Sequence, residues 1–341
     1  MAFAGMFRAY SLAATLLAAL PFAAYAQGAI KVEEHVQYLG KPNNIRVSND
    51  TVELILTTDY GPRIMRYAFT GSGPEGNVFG TLPTDKPTLH TAYGDWYIYG
   101  GHRLWHAPEE NPRTYAPDND PIQYTIEGNT VKLIQPVERQ TGIVKEIWMT
   151  LDPQGSHVTV THRLTNKNPW SIDMAAWAMS AMNKGGMAIL PQEPYRSHDD
   201  YLPPIRPMVL WAYTDLTDPR WYVGKSYITL KQDVNATSSQ KMGILNRQGW
   251  AAYGLGTLLF LKRFHFHPEE NYPDYNSDTE TYTDAGFLEL ETLGPLLHVA
   301  PGQTISYSEE WWLYKNVNLG NGEAGIAAAM LPILTETGRG R

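Results

Sequence analysis

The chain has 341 residues, 43% of them hydrophobic and 18% charged, with 21 Tyr, 10 Trp, 9 Phe and no Cys. Without Cys there is no disulfide framework, no Cys-bearing zinc site, no iron–sulfur cluster and no cysteine nucleophile. A formal charge of −8 argues against a nucleic-acid partner, since phosphate-tracking surfaces are basic, and the apolar content supports a large core rather than disorder.

Residues 1–26 read as a secretory signal peptide. One cation, Arg8, precedes a small apolar run from Ala9 to Leu20; Pro21 interrupts it, and Ala24-Tyr25-Ala26 supplies an A-x-A cleavage pattern with the cut after Ala26. The run is short of the roughly 20 residues a membrane span needs. The expected product is secreted or periplasmic, with no stable membrane span after cleavage.

From there the pattern is β-like almost to the end. Thr51 to Thr58 is a β-branched run, and Thr130 to Gln135 follows a Glu-Gly-Asn turn signal. Gly142 to Leu151 and Ser156 to Thr165 flank Asp152-Pro153-Gln154-Gly155, a hairpin with a four-residue turn. Trp170 to Met182, Lys225 to Gln232, Trp250 to Tyr253, Thr257 to His265, Gly286 to Glu291 and Thr304 to Lys315 continue the series. No βαβ alternation and no G-x-G-x-x-G after a strand is present, which removes a Rossmann reading. Only Glu323 to Leu334 reads as helical, with Pro332 inside it. The expectation is one large antiparallel β-sandwich with long loops over residues 30–316, followed by a tail, 317–341, that carries a short helix.

Three segments concentrate chemistry. Tyr93 to Pro117 reads as a loop around Gly100-Gly101-His102-Arg103-Leu104-Trp105-His106-Ala107-Pro108-Glu109. Its paired glycines permit a tight turn and close approach of a ligand. Its His, Arg, Trp and Glu offer a titratable ring, a donor fork, a flat apolar face and an acceptor, the groups that recognise a sugar. Phe264 to Thr283 reads as a second loop, with His265 and His267 two apart and with Asp274, Asn276, Asp278 and Glu280 in alternation. That alternation imitates a calcium loop, but its sixth position is Thr279 instead of Gly and its twelfth is Ala285 instead of Glu. It is not an EF-hand. Sugar hydroxyls, or calcium in another geometry, would suit it. In the third segment, Glu289 and Glu291 share one strand face opposite Leu288 and Leu290. That face is either plain solvent or a pocket wall, and in a pocket one Glu could act as a general base with a raised pKa.

The ordered set GGHRLWHAPE (Gly100 to Glu109), VTHRLTNKNPW (Val160 to Trp170), FLELETLGPL (Phe287 to Leu296) and PGQTISYSEEWWL (Pro301 to Leu313) resembles the galactose mutarotase-like superfamily, and within it an exported bacterial branch. The resemblance implies a β-supersandwich whose concave face binds carbohydrate. In aldose 1-epimerases a Glu takes the proton from the anomeric hydroxyl and a His protonates the ring oxygen. Leu290-Glu291-Thr292 is similar to the segment that carries the Glu, which makes Glu291 the implied base and Glu289 the second choice. The epimerase histidines have no counterpart: where one is expected the chain reads Ala175-Ala176-Trp177-Ala178-Met179-Ser180. His102 is then the candidate acid.

These observations support a carbohydrate-binding protein, with Arg103, Trp105, Glu109, Trp177, Asp274, Glu280 and Glu289 as ligand contacts. The alternative is an epimerase-like isomerase that uses Glu291 and His102. A third reading is a polysaccharide lyase or hydrolase, with Glu291 and either Asp274 or Glu280 as its carboxylate pair. A carbohydrate is the expected partner, and neither a cofactor nor a metal is expected.

Overall fold

The computed structural model describes residues 1–2 and 30–338. The expected signal peptide therefore lies outside the described residues, apart from its first two positions. Among the described residues, an eleven-stranded sheet faces a ten-stranded sheet, and a two-stranded ribbon (Leu89–Thr91 with Gly94–Trp96) stands apart. The larger sheet runs in space Lys31–Tyr38, Lys41–Ser48, Val52–Thr57, Arg63–Phe69, His102–Ala107, Ile172–Met182, Leu288–Leu293, Thr279–Thr283, Gln240–Ile244 and Met208–Leu210, with Leu297–Val299 beside the start of Ile172–Met182. The smaller runs Trp221–Val223, Tyr227–Lys231, Met187–Pro191, Trp250–Leu255, Leu258–Phe264, Thr304–Tyr314, Val158–Asn166, Ile143–Leu151, Thr130–Ile134 and Gln123–Glu127. The pairings are antiparallel, including the expected 142–165 hairpin, where Leu151 lies opposite Val158. This is the large antiparallel β-sandwich that the alternation in the sequence predicts.

Alternation explains where the core sits. Successive strand residues point to opposite faces, so one set from each strand enters the space between the sheets. Leu104, Ala176, Ala178, Leu288, Leu290, Met242 and Ile244 come from the larger sheet, and Val158, Val160, Phe260 and Trp311 from the smaller. At its centre Phe79, Phe260 and Trp311 meet edge to face at centroid distances of 5.6–5.7 Å, a favoured arrangement of ring quadrupoles.

The helix Gly322–Thr337 extends the expected helical stretch by a few residues at its C-terminal end. It lays Ile326, Met330 and Ile333 on Ile189, Trp250, Ala252, Leu259 and Leu261, the outer face of the smaller sheet. Glu323 anchors its start by accepting from the backbone N–H groups of Ser226 and Tyr227.

Two segments expected to be loops contain strands. His102–Ala107 and Thr279–Thr283 both lie inside the larger sheet. Their polar composition hides them, because the face they expose does not meet a hydrophobic layer. The paired glycines also serve an end other than the expected one. Gly100 and Gly101 have φ of +90° and +68°, and a Cβ on them would stand 2.2 Å from the Gly80 carbonyl oxygen and 2.6 Å from that of Ile64. They let the chain's own backbone approach closely at the entry to His102–Ala107.

Candidate functional site

The larger sheet carries a cleft of about 620 Å³ on the face turned away from the core. Its floor is built in register. Arg103 lies opposite Met179, and Met179 opposite Glu291, which in turn faces Glu280. One step along, Trp105 lies opposite Trp177, and Trp177 opposite Leu293. One step the other way, Glu289 faces Tyr282, and Tyr282 faces Lys241. Each side chain points outward because its strand neighbours, Leu104, Ala176, Ala178, Leu288 and Leu290, point into the core. Over this floor pass residues 82–89 and 96–99, hydrogen-bonded to each other through Thr88 N–H to Trp96 O (2.9 Å) and Leu82 N–H to Tyr99 O (3.0 Å).

The cleft joins aromatic faces to fixed charges. Trp105 packs against Trp96 at 5.4 Å, Tyr115 at 5.1 Å and Trp177 at 5.5 Å between ring centroids. The Arg103 guanidinium stacks 4.7 Å from Trp105 and pairs with Glu289 at 2.8 Å, while its Nε and Nη1 are buried and without hydrogen-bond partners. Buried donors of this kind are costly unless a ligand or water completes them.

Beneath and beside the wall sit one cation and two carboxyls. Lys241 Nζ is 2.8 Å from Glu280 and 3.4 Å from Glu291, and it lies 4.8 Å from the Trp177 ring. Trp177 Nε1 donates to Glu291 Oε2 at 2.9 Å. Glu280 and Glu291 are fully buried. Burial disfavours charge on Lys241, but the facing carboxylates outweigh it and hold the ammonium well above its ordinary pKa. One cation cannot neutralise two carboxylates. Burial therefore pushes Glu291 up to about 7 and Glu280 well above the carboxylate range, against the attraction of Lys241. The three groups titrate as a unit that keeps a proton near neutral pH. Glu291 Oε1 is buried and has no hydrogen-bond partner, an unpaired acceptor beside the cleft floor.

The structure sorts the sequence candidates. Arg103, Trp105, Glu109, Trp177 and Glu289 line the cleft. Glu291 and Glu280 join it through Lys241 and Trp177. Asp274 lines an adjoining cavity together with Glu109. His102 does not join them. Arg103 faces the cleft, so its chain neighbour faces the core, where His102 is fully buried. There its Nε2 meets His162 Nε2 at 2.7 Å and its Nδ1 meets Ser180 Oγ at 2.9 Å. Burial holds the imidazole of His102 well below the usual range and that of His162 at about 4, so this neutral pair is no acid for the cleft.

His102, His162 and Glu309 lie close enough to suggest a metal site, but the donor set is already used. Glu309 accepts from Thr292, from Lys262 at 3.0 Å and from Trp311 Nε1 at 2.7 Å, which makes a closed polar network around a buried ion pair. His265 and His267, singled out in the sequence for their spacing, form a solvent-exposed pair with ring centroids 4.6 Å apart.

Sequence reasoning missed Lys241 and Tyr213, which line the cleft; Trp96 and Tyr282 line it too and fall inside the two segments it singled out, 93–117 and 264–283, without being named. A signal existed for Lys241: it sits between Gln240 and Met242 in a short strand, a lone cation on the face opposite Met242 and Ile244. Trp96 enters through the separate ribbon, at the end of Gly94–Trp96.

No family model matches this chain, and no curated protein matches it. Solved structures do. A TPR-domain containing protein from Parabacteroides distasonis superposes with a TM-score of 0.55 at 12% identity, over 87% of this chain and 56% of that one. This chain thus spans little more than half the length of that protein. A candidate mutarotase from Salmonella typhimurium gives 0.52 at 11% identity, over 84% of this chain and 97% of its own. A galactose mutarotase-like protein from Lactobacillus casei gives 0.47 at 12%, over 80% and 100%. At these identities the likeness concerns the backbone alone: on the Salmonella typhimurium comparison, this chain has a mutarotase-like fold.

Proposed function

We propose that this protein binds a carbohydrate in the cleft of the larger sheet. One observation carries the reading: Trp96, Trp105 and Trp177 line the same cleft as Arg103, Glu289 and Lys241. Apolar C–H faces of a sugar pack on indole rings, while its hydroxyls take the free guanidinium donors and the carboxylate acceptors. The volume, about 620 Å³, lies in the range of small-molecule sites. Isothermal titration against a panel of mono- and oligosaccharides tests it. Saturable binding that Trp105→Ala lowers at least tenfold is expected, and a panel with no binder would sink the reading.

A second reading, an aldose epimerase-like isomerase, is favoured by Glu291 alone. Its carboxyl is buried, pushed up to about 7 and has a free Oε1, the properties of a general base near neutral pH. Lys241, held charged beside it, would stabilise an alkoxide left at the anomeric carbon. His102 has no place in this chemistry, since it opens to the opposite face. Exchange NMR on α and β anomers decides: Glu291→Gln should cut any enhancement by about 10²–10⁴-fold, and an unchanged rate removes the base role. The hydrolase reading has less support, because Glu280 and Glu291 lie opposite each other in one wall and are bridged by Lys241 rather than standing on two sides of a ligand.

Export is part of the same proposal and rests on the leader-like sequence alone. N-terminal sequencing of protein recovered from the extracytoplasmic fraction should begin at Gln27. Retention of residues 1–26 in a cytoplasmic product would contradict it.

A further inference from the structure

A smaller cavity of about 400 Å³ adjoins the cleft and shares Leu89, Glu109 and Tyr115 with it as a common wall. Its own residues are of a different kind. Trp211 is half-buried, and its Cζ3 edge borders Gly243, whose lack of a side chain makes room chiefly for Ser277 (a Cβ would stand 2.5 Å from Ser277 Oγ and 3.4 Å from the indole edge). The same indole takes Lys241 Nζ at 4.5 Å, and Lys241 stands 4.8 Å from Trp177 on its other side. One ammonium thus links an aromatic face of the main cleft to an aromatic face of the second cavity. Around Trp211 stand Glu109, Glu110, Asn111 and Asp274, which offer acceptors, while the ammonium at this indole, Lys241, is already paired with Glu280 and Glu291. Asp274 is held by local bonds: Ser277 Oγ donates to its carbonyl at 3.0 Å, and Tyr272 N–H donates to Asn276 Oδ1 at 2.8 Å. Its Oδ2 is buried and has no partner.

We propose that the two cavities form one bipartite site for an uncharged oligosaccharide of at least two linked units, one against the indole edges of Trp96, Trp105 and Trp177 that border the main cleft and the next beside Trp211. This rests on the carbohydrate reading of the main cleft and extends it. Contact with aromatic surface supplies affinity at both positions and tolerates different rings. The acceptors around Trp211 pair with the hydroxyl donors of a neutral sugar. Three acidic side chains within one small cavity repel a uronate or sulfated unit.

The test titrates the full chain with glucose, galactose and mannose, with their α-1,4- and β-1,4-linked di- and trisaccharides, and with a galacturonate dimer. Disaccharide Kd values at least tenfold below those of the constituent monosaccharide are expected, with no gain for the uronate dimer. Trp211→Ala should bring the disaccharide-to-monosaccharide affinity ratio close to one. Asp274→Asn keeps a residue type that tolerates its positive φ of 49°, so the fold is preserved, and it should raise uronate affinity relative to the neutral dimer. Equal mono- and disaccharide affinities, or a Trp211→Ala loss shared equally by both, would overturn the bipartite site and leave carbohydrate binding standing. A uronate dimer that binds as tightly as the neutral one would overturn the charge selection. If no sugar in the panel binds, the carbohydrate reading and this extension fall together.

Discussion

At the residue scale, Lys241 organises the site. It is the only cation within 4.0 Å of the two buried carboxyls Glu280 and Glu291 among the described residues. Removing one partner of a buried ion pair costs about 3–5 kcal/mol, because the other charge is left desolvated. Lys241→Met should therefore lower the thermal midpoint, and more at pH 8 than at pH 5, where the orphaned carboxyls take up protons. Equal losses at both pH values would show that Lys241 acts through packing instead. Glu291 has a folded pKa of about 7, above the 4.5 of a free carboxyl. It binds more protons in the folded chain, so its contribution to stability is full below 4.5 and is lost as pH rises through 7. Glu291→Gln removes that dependence. The sequence made Glu289 and Glu291 visible as a pair on one face, but not whether that face met solvent. The answer depended on Lys241 and Trp177, which lie 50 and 114 residues away along the chain.

At the element scale, the strand His102–Ala107 decides most of the site. Its period of two sends Arg103 and Trp105 to the cleft and His102, Leu104 and His106 to the core. Read as a loop, the same six residues looked like one constellation. The glycines at its entry are required by geometry: Gly100→Ala would place a Cβ 2.2 Å from the Gly80 carbonyl oxygen at a φ of +90°. We expect it to destabilise the fold by more than about 1 kcal/mol and to weaken sugar binding by displacing Arg103. Chemical denaturation beside ligand titration checks both effects. The helix Gly322–Thr337 makes the opposite case. It covers the outer face of the smaller sheet, across the sandwich from the cleft, and Met330 is fully buried beneath it. Met330→Ala should cost about 2–5 kcal/mol and leave carbohydrate affinity unchanged. Altered affinity would mean that the helix and the cleft are coupled.

At the scale of the whole molecule, buried titratable groups oppose one another. Burial lowers His162 to about 4 and holds His102 and His106 well below their ordinary range. Each such histidine stays neutral in the fold, so stability is full above about 6.5 and falls by about 1.4 kcal/mol per pH unit between 6.5 and its folded pKa. Glu291 and Asp278, both raised to about 7, act in the reverse direction as pH rises from about 4.5. The wild-type chain should thus show a shallow dependence of unfolding free energy between pH 4.5 and 6.5. Glu291→Gln should steepen the loss on acidification in that window, and a flatter curve for the variant would reverse the assignment. By itself the sequence determined the architecture: strand alternation, turn residues and the lack of βαβ spacing specify an antiparallel sandwich closed by one short helix, because those signals are local and periodic. Only the tertiary structure decided the site. Which face of a strand is core depends on what the partner sheet places against it, and the pairing of Lys241 with Glu280 and Glu291, like the exile of His102 to the interior, is set by register between strands far apart in the chain.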